Sequence, residues 1–451
     1  MECKRMALRL VCSTLCGFIL GAGCTHPKVY HSLPHHLRWL SDRMVPNKIV
    51  DAPLPARRHL LLSYEVPQTE SAYPYIYSKS FIYDDAMAAI AFCTAAEWDK
   101  AQQLLLSLSR LIRDNGSFWF NYSTNTDWPS EKDQESTLVR TGALAWTGYA
   151  YCFFLENHPS LKPEDRAYAQ CITAAKNIAV YIQNTLVSNS TDPLYGLVRG
   201  GEGEINLAVS ESSEVTEVWK PGPVTWASAE HNIDAHLFLS HLAALTGDIT
   251  YKRTAETISQ ACMATLYSSE HGQFFRGIKG PGNIDSVLAL DCASWASLFF
   301  QSIGEKQKAK TCLETAKRLY ANSYHGLNGY RPYAGILVYE KPEINTHFFP
   351  DKPTQKWETL PFIWLEGSYG VFMAQLAAGN RAAVCRELEN WSRVFDTDTL
   401  GGLPYSAADT PLPYQFTTWK SVASTAWHII LINMLYGPEM KQPFFSAAHD
   451  R

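Results

Sequence analysis

Two kinds of predicted helix alternate along this chain of 451 residues, from about residue 80 onward. One kind is amphipathic: in 305–323, for example, apolar residues recur every three to four positions and leave one face for solvent. The other kind is small and apolar on nearly every face, so it must be surrounded by protein. The helices of this buried kind are 86–96, 142–155, 226–245, 287–303, 362–378 and 422–435.

Each buried helix is followed by an amphipathic one, which predicts a series of helical hairpins. The predicted hairpins are 84–113, 139–185, 226–268, 287–322 and 362–395. The last buried helix, 421–436, has no helix after it, but the segment 36–44 is a candidate partner that would close a ring. The sequence therefore predicts an all-α fold, an (α/α)6 toroid of six inner and about six outer helices with short β-like segments at its mouth. A helical solenoid is the alternative, but solenoid repeats keep a fixed period and these hairpins do not.

The first 24 residues are typical of an export signal. Basic residues precede an apolar stretch, 10–22, that is shorter than the ~20 residues of a membrane-spanning helix. Small residues then precede Cys24 and resemble a bacterial lipoprotein signal, in which the cysteine is acylated. Leu20 lies one position too far from the cysteine for the usual pattern, so lipidation, plain cleavage and retention all stay open. We expect a monomeric bacterial envelope protein that contacts the membrane only through a lipid anchor.

The remaining chain is predicted to form one domain. The expected divisions are an export signal at 1–24, a tether with a possible closing outer helix at 25–79, a single toroid at 80–440 and a C-terminal tail at 441–451.

The composition favours a sugar-sized ligand over several others. The 13 Trp, 23 Tyr and 20 Phe residues exceed the needs of core packing and suit a surface that stacks flat ligands. The net charge of -5, without any run of Lys or Arg, gives no reason to expect nucleic acid. Phosphate-binding glycine loops and the serine elbow motif are absent from the sequence, and no CxxC pair follows the signal. We therefore expect no metal and no cofactor.

Polar residues gather at the first turn of nearly every buried helix. In a ring of parallel inner helices these turns open on one mouth, so their side chains converge. Helix N-termini favour carboxylates, which explains part of the pattern without any function. The convergence of acids with aromatic residues points to a binding cleft. The candidates at these turns are Asp84, Asp85, Arg140, Glu230, His231, Asp234, Asp291 and Glu366. The candidates on the rim are Trp119, Trp226, Arg331, Tyr333, Trp364 and Tyr405.

With these residues, the chain resembles the six-hairpin glycosidase superfamily of (α/α)6 carbohydrate-active enzymes over roughly 80–436. The resemblance rests on Tyr83-Asp84-Asp85, the segment 226–234, Trp364-Leu365-Glu366-Gly367, Gly402-Leu403-Pro404-Tyr405 and the segment 421–427. Catalytic acids of such proteins lie where inner helices begin, so the resemblance implies catalytic roles for Asp84, Asp85, Glu230 and Glu366. The superfamily includes hydrolases, phosphorylases, lyases and epimerases, and no single family is assigned.

Glycoside hydrolysis needs one carboxylic acid to protonate the leaving oxygen and a second carboxylate opposite it. Glu366 lies between Trp364 and Gly367, where apolar neighbours would raise its pKa as a general acid requires. The alternative is a helix-capping carboxylate paired with Arg331 or another rim arginine. Asp84 and Asp85 are candidates for the base, but adjacent side chains on a helix point about 100° apart, so at most one faces the cavity squarely.

Glu230, His231 and Asp234 form the densest polar cluster within a buried helix. Glu230 and Asp234 are four residues apart and share a face. The spacing lacks the two histidines of a zinc-binding helix. We therefore expect this cluster to bind sugar hydroxyls, or Glu230 to act as an acid or base; a buried structural network that includes Asp234 is the alternative.

The sequence thus predicts an exported glycoside hydrolase that cleaves an oligosaccharide or polysaccharide. One alternative is a glycan-binding lipoprotein without catalysis, using the same cleft. Another is a lyase or epimerase of acidic sugars, which would use arginines such as Arg140 and Arg331 to neutralise a carboxylate and a base such as His231.

Overall fold

The computed structural model describes residues 28–127, 129, 134–210, 214–280, 282–395, 401–411 and 416–448. The predicted export signal and its candidate lipidation site, Cys24, lie outside these residues. Within them, no helix combines the length and apolar character needed to cross a membrane.

The described part of the chain is mainly helical. Its α-helices are α1 (Lys28–Asp42), α2 (Tyr73–Ile76), α3 (Ile82–Thr94), α4 (Trp98–Ser109), α5 (Thr141–Asn157), α6 (Arg166–Thr185), α7 (Ala229–Thr246), α8 (Ile249–Ala261), α9 (Asp291–Ser302), α10 (Lys306–Leu319), α11 (Pro342–Phe348), α12 (Leu365–Ala377), α13 (Arg381–Phe395) and α14 (Val422–Tyr436).

Helices α3, α5, α7, α9, α12 and α14 form a closed inner ring. Each packs against the next along the chain, and α14 packs against α3. Every residue of α5 is buried, as its lack of a polar face requires. Helices α4, α6, α8, α10 and α13 each pack on the inner helix that precedes them, and α1 lies against α14 and α13. The (α/α)6 toroid predicted from the alternation of helices is confirmed.

Short strands mark the end of the ring at which the inner helices begin. They are β1 (Tyr64–Glu65), β2 (Lys79–Phe81), β3 (Asn121–Ser123), β4 (Val139–Arg140), β5 (Gly201–Val209), β6 (Val215–Pro223), β7 (Ala227–Ser228), β8 (Tyr267–Ser268), β9 (Gln273–Phe274), β10 (Gly277–Gly280), β11 (Asn283–Asp285), β12 (Leu288–Ala289), β13 (Ala321–Tyr324), β14 (Leu327–Tyr330), β15 (Tyr333–Ala334), β16 (Leu403–Pro404) and β17 (Lys420–Ser421).

Strands β2, β4, β7, β12 and β17 lead directly into inner helices, and each pairs with an antiparallel segment from another connection. The ladders thereby fix where five of the six inner helices start. Before α12, Trp364 forms isolated bridges with Tyr330 and Ser406 instead.

The opposite end of the ring is covered by the C-terminal segment. Phe444 and Phe445 pack against Trp146 of α5, with ring centroids 6.0 and 5.9 Å away. The backbone amide of Phe445 donates to the Tyr149 hydroxyl at 2.9 Å. The interior of the ring is therefore open at the strand-bearing mouth and filled by aromatic rings at the other end.

Candidate active site

A cavity lies at the mouth, where the inner helices begin. Its inner chamber has a volume of about 260 Å³ and reaches the aromatic rings of Trp146 and Trp295. Its vestibule has a volume of about 480 Å³ and lies among the connecting strands. The two parts share Glu230, His231, Asp291, Trp364 and Tyr405 in their walls, so they form one continuous cleft.

Most of the residues predicted for the site line this cleft. Those in the wall of the inner chamber are Asp84, Arg140, Glu230, His231, Asp234, Asp291, Trp364, Glu366 and Tyr405. Trp226 and Tyr333 line the vestibule. Residues spread over more than 300 positions of sequence are thus brought together by the parallel start of the inner helices.

The structure places Asp85 outside the cleft, unlike its neighbour Asp84. The Asp85 side chain is fully buried and accepts a hydrogen bond from the Leu61 amide at 2.9 Å and another from the Ser80 hydroxyl at 2.7 Å. These bonds fasten the chain that precedes α3 to the first turn of that helix. Asp85 is therefore corrected from a candidate catalytic acid to a structural residue, and Asp84 is the one of the two that faces the cleft.

Two further predicted residues lie at the mouth but do not line the cleft. The Arg331 guanidinium donates through Nη2 to the Leu319 carbonyl oxygen at 2.9 Å, which ties the end of α10 to the following hairpin. The Trp119 ring lies beneath the Arg113 guanidinium, 3.8 Å from its central carbon. Both side chains are thus engaged by outer elements, and their contact with a substrate stays a prediction.

Glu366 lies in the first turn of α12 and is buried in the inner chamber. Its Oε1 accepts a hydrogen bond of 2.5 Å from the Tyr83 hydroxyl, which itself accepts one of 3.0 Å from Trp427 Nε1. Burial raises the pKa of Glu366 to about 7, helped by the negative charge of Glu230 and opposed by hydrogen bonds from Tyr83 and Tyr405. Glu366 therefore keeps its proton over much of the range in which ordinary glutamates are ionised.

Glu230 and Asp291 form a coupled carboxyl pair across the first turns of α7 and α9. Burial raises the pKa of both groups, and that of Asp291 rises well above its ordinary value because the charge and hydrogen bond of Glu230 add to the effect. The hydrogen bond from Asp291 and the positive charge of Arg276 act in the other direction on Glu230. Of the two groups, Asp291 therefore holds its proton more tightly, and Glu230 is the one that ionises first.

Asp84 and Asp234 complete the set of acids in the inner chamber. Burial raises the pKa of each well above its ordinary value, and nearby negative charges, from Glu366 on Asp84 and from Glu230 on Asp234, raise it further. Both groups therefore keep their protons to higher pH than an ordinary aspartate does. A neutral carboxyl group donates a hydrogen bond, which suits a sugar hydroxyl, and it is a weak base.

His231 lies beside the Trp226 ring, with ring centroids 5.6 Å apart. Burial and then the charge of Arg140 lower the pKa of His231 to about 3, so its imidazole is neutral. Its Nδ1 is buried, and it has no hydrogen-bond partner among the described residues. Since buried polar atoms are ordinarily satisfied, this nitrogen is available to a ligand.

Two glycines allow the cleft tryptophans to occupy their positions. A Cβ atom at Gly200 would overlap the Trp226 ring, and one at Gly367 would overlap the Trp364 ring. Glycine at these two positions therefore lets the indole rings pack directly against the backbone. This close approach forms the aromatic walls of the cleft.

Sequence reasoning missed several residues of the cleft. Tyr83 stood in a segment that was singled out for its acids, yet its contact with Glu366 joins positions 283 residues apart. Arg276 lies between two short strands and is held by Asp285 at 2.8 Å and Glu340 at 2.5 Å. The partners of both residues are distant in sequence, so only the fold reveals their place.

Comparison with known proteins bears on the fold. No protein-family model matches the sequence, and no curated protein matches it by sequence. A solved glycosidase in complex with glucose is similar with a TM-score of 0.58 at 11% identity, covering 90% of this chain and 96% of that chain. A D-mannose isomerase has a TM-score of 0.55 at 11% identity, covering 89% and 96%. The chain has the six-hairpin (α/α)6 fold.

A third similar structure is a family 76 glycoside hydrolase from a bovine Bacteroides thetaiotaomicron strain. Its TM-score is 0.53 at 10% identity, and the match covers 90% of this chain and 77% of that chain. At such low identities the likeness concerns the six-hairpin architecture. The chemistry must be argued from the residues of this cleft.

Proposed function

We propose that this protein is a glycoside hydrolase, with Glu366 as general acid and Glu230 as the second carboxylate. The observation that carries the proposal is that two carboxyl groups, Glu366 and Glu230, lie in one cleft in unlike surroundings. Burial raises the pKa of Glu366 to about 7, whereas Glu230 shares a hydrogen bond with Asp291, which holds its proton more tightly than Glu230 does. Two carboxyl groups in opposite protonation states are what hydrolysis of a glycosidic bond requires.

In this mechanism Glu366 transfers its proton to the glycosidic oxygen as the bond to the anomeric carbon breaks. Tyr83 orients the carboxyl group through its 2.5 Å hydrogen bond and stabilises the carboxylate that forms. Glu230 acts on the anomeric carbon, either directly or through a water molecule that it deprotonates. The hydrogen bond from Asp291 and the positive charge of Arg276 favour the ionised form of Glu230 in that step.

The remaining cleft residues suit the binding of a sugar ring. Asp84 and Asp234, as neutral acids, donate hydrogen bonds to hydroxyl oxygens, and His231 Nδ1 is free to pair with another polar group of the ligand. The Trp226 and Trp364 rings offer flat apolar faces. The names of the similar solved structures, which include glycosidases and mannanases, support a carbohydrate substrate.

Hydrolysis is tested with the purified chain on a panel of polysaccharides and aryl glycosides of both anomers, with release of reducing ends or of the phenol as the readout. We expect Glu366→Gln and Glu230→Gln each to lower turnover by roughly 10²- to 10⁴-fold, the range measured for general acid–base groups. Arg331→Gln is the matched control, since its guanidinium lies at the mouth but outside the cleft. Full activity in both carboxyl variants would overturn the assignment.

The same panel separates hydrolysis from its rivals. Sugar binding without any turnover would indicate a glycan-binding protein, and interconversion of free sugars without hydrolysis would indicate an isomerase or epimerase. The second outcome has a structural basis in the similarity to D-mannose isomerase. Its proton transfers at carbon would require a basic group, which His231, with its pKa of about 3, supplies only weakly.

We also propose that the protein is exported and attached to the membrane through Cys24. The basic and apolar residues that precede this cysteine support the proposal. Mass spectrometry of the mature protein from its native host tests it. An acylated N-terminal cysteine is expected, and an intact N-terminal methionine would contradict export.

A further inference from the structure

The cleft contains a cation that no carboxylate of the described residues neutralises. Arg140 ends β4, immediately before α5, and its side chain lines the inner chamber. The central carbon of its guanidinium lies 5.5 Å from the centroid of the Trp226 ring. No carboxylate oxygen among the described residues lies within 4.0 Å of its nitrogens.

The guanidinium is fixed in place by the backbone instead. Its Nη1 donates to the carbonyl oxygens of Val139 at 3.1 Å, Glu202 at 3.1 Å and Gly203 at 2.8 Å. Nε and Nη2 of Arg140 have no hydrogen-bond partner among the described residues. Since guanidinium is a planar group with five N–H donors, its other nitrogens remain to be satisfied by solvent or ligand.

A second arginine of the cleft, Arg276, differs from Arg140 in having carboxylate partners. Arg276 pairs with Asp285 at 2.8 Å and with Glu340 at 2.5 Å. The carboxylate whose charge acts most strongly on Arg140 is that of Glu204. This carboxylate pairs with Lys220 at 3.7 Å. Arg276 therefore has its counter-ions within the protein, whereas Arg140 has none among the residues that the structure describes.

An unpaired charge in a partly buried site is costly, and an anion that binds there removes the cost. The acids of the inner chamber do not supply this anion, because neither Asp84 nor Asp234 forms an ion pair with Arg140, and burial favours the protonated form of both. The charge also stands beside a flat indole face, an arrangement that can hold a sugar ring and its substituent together. The cost of the unpaired charge and the position of the indole ring both favour a sugar that carries a negative charge.

We propose that Arg140 binds an anionic substituent of the sugar substrate, namely the carboxylate of a uronic acid or a sulfate or phosphate ester. The inference rests on the proposed function, since it assigns the substrate class of that cleft. The guanidinium pairs with two oxygens of the anion through its remaining N–H groups. The sugar ring stacks on Trp226 while its hydroxyls reach the neutral acids.

Isothermal titration calorimetry with free monosaccharides tests the proposal, since it requires no knowledge of the linkage. The full chain is titrated with D-glucuronate, D-galacturonate, glucose 6-sulfate and glucose 6-phosphate, each compared with its neutral parent, glucose or galactose. We expect at least one anionic sugar to bind about tenfold more tightly than its parent, a difference of about 1.4 kcal/mol. Which anion is preferred distinguishes a uronic acid from a sulfate or phosphate ester.

Variants assign the preference to Arg140. In Arg140→Gln the anionic sugar no longer binds more tightly than its neutral parent, and Arg140→Lys keeps part of the preference. Arg331→Gln is the matched control, because Arg331 also donates to a backbone carbonyl at the mouth but lies outside the cleft. It keeps the full preference. Melting temperatures check that the variants fold.

Equal binding of anionic and neutral sugars by the wild type, or no binding of any anionic sugar, would overturn the proposal without recourse to a variant. A preference that persists in Arg140→Gln would also overturn it. The proposed function fails separately: hydrolysis restricted to neutral glycans leaves hydrolysis standing and removes the anionic substrate. Tight binding of a uronate without turnover of any glycan supports the anion site and removes the proposed hydrolysis.

Discussion

The hydrogen bond from Tyr83 to Glu366 offers a direct test of how the cleft sets the protonation of its acid. Replacing Tyr83 with Phe removes a donor that lies 2.5 Å from Glu366 Oε1 and leaves the ring in place. The bond favours the ionised form of Glu366, so its loss raises the pKa of that group above about 7. The proposed acid then keeps its proton to higher pH.

The size of the change follows from the strength of the bond. A hydrogen bond to a charged group contributes roughly 1.5–3 kcal/mol, and about 1.36 kcal/mol corresponds to one pKa unit. We therefore expect the pKa of Glu366 to rise by about one to two units in Tyr83→Phe. The substitution also leaves Trp427 Nε1 without its acceptor, which should lower the free energy of unfolding by about 1–3 kcal/mol.

The assay is the pH dependence of kcat/KM, measured on the best substrate from the glycan panel. A general acid is active when protonated, so the rate falls as pH rises through the pKa of Glu366, and this basic limb should move upward in Tyr83→Phe. Tyr320→Phe is the control, since Tyr320 is a buried tyrosine whose hydroxyl donates to Gln273 Oε1 at 2.8 Å away from the cleft. A basic limb that stays in place or moves downward in Tyr83→Phe would refute the reasoning.

Two further predictions concern stability and the aromatic wall. Burial raises the pKa of Asp85 from about 3.9 in the unfolded chain to about 7 in the folded chain. Between these two pH values the folded chain binds one proton more than the unfolded chain. As the pH rises from about 4 to about 7, this group alone therefore lowers the free energy of unfolding by about 4 kcal/mol. Asp85→Asn should therefore flatten the pH dependence of unfolding by denaturant between pH 4 and 7; an unchanged dependence would contradict the burial of an ionisable group there. Gly200→Ala should displace the Trp226 ring, lower the free energy of unfolding by about 1–3 kcal/mol and weaken sugar binding in calorimetry. Gly280→Ala, where a Cβ meets open space, should do neither, and equal effects of the two substitutions would argue against the close approach.

The architecture was predictable because its signal is local. A helix that is apolar on every face, such as 142–155, can be predicted as buried from its own sequence. The alternation of such helices with amphipathic ones then leaves few possible folds. The outer position beside α14 is less evident from sequence. The structure has a helix at Lys28–Asp42, which begins before the candidate segment 36–44 and contains Pro34.

The site was predictable only as far as its residues mark the starts of helices. Asp84 and Asp85 are indistinguishable in sequence, since the partners that fix Asp85, the Leu61 amide and the Ser80 hydroxyl, become neighbours only through the fold. Arg331 satisfies a helix end rather than the cleft. The lack of a carboxylate beside Arg140 in the described part of the chain is likewise visible only in three dimensions.

The central claim is that Glu366 donates the proton to the leaving group and that Glu230 acts on the anomeric carbon. The most direct measurement compares the wild type with Glu366→Gln on a glycan and on a dinitrophenyl glycoside of the same sugar, whose leaving group needs no proton. We predict that Glu366→Gln loses roughly 10²- to 10⁴-fold on the glycan but less than about tenfold on the dinitrophenyl glycoside, while Glu230→Gln is impaired on both. Equal losses of Glu366→Gln on the two substrates would contradict the account.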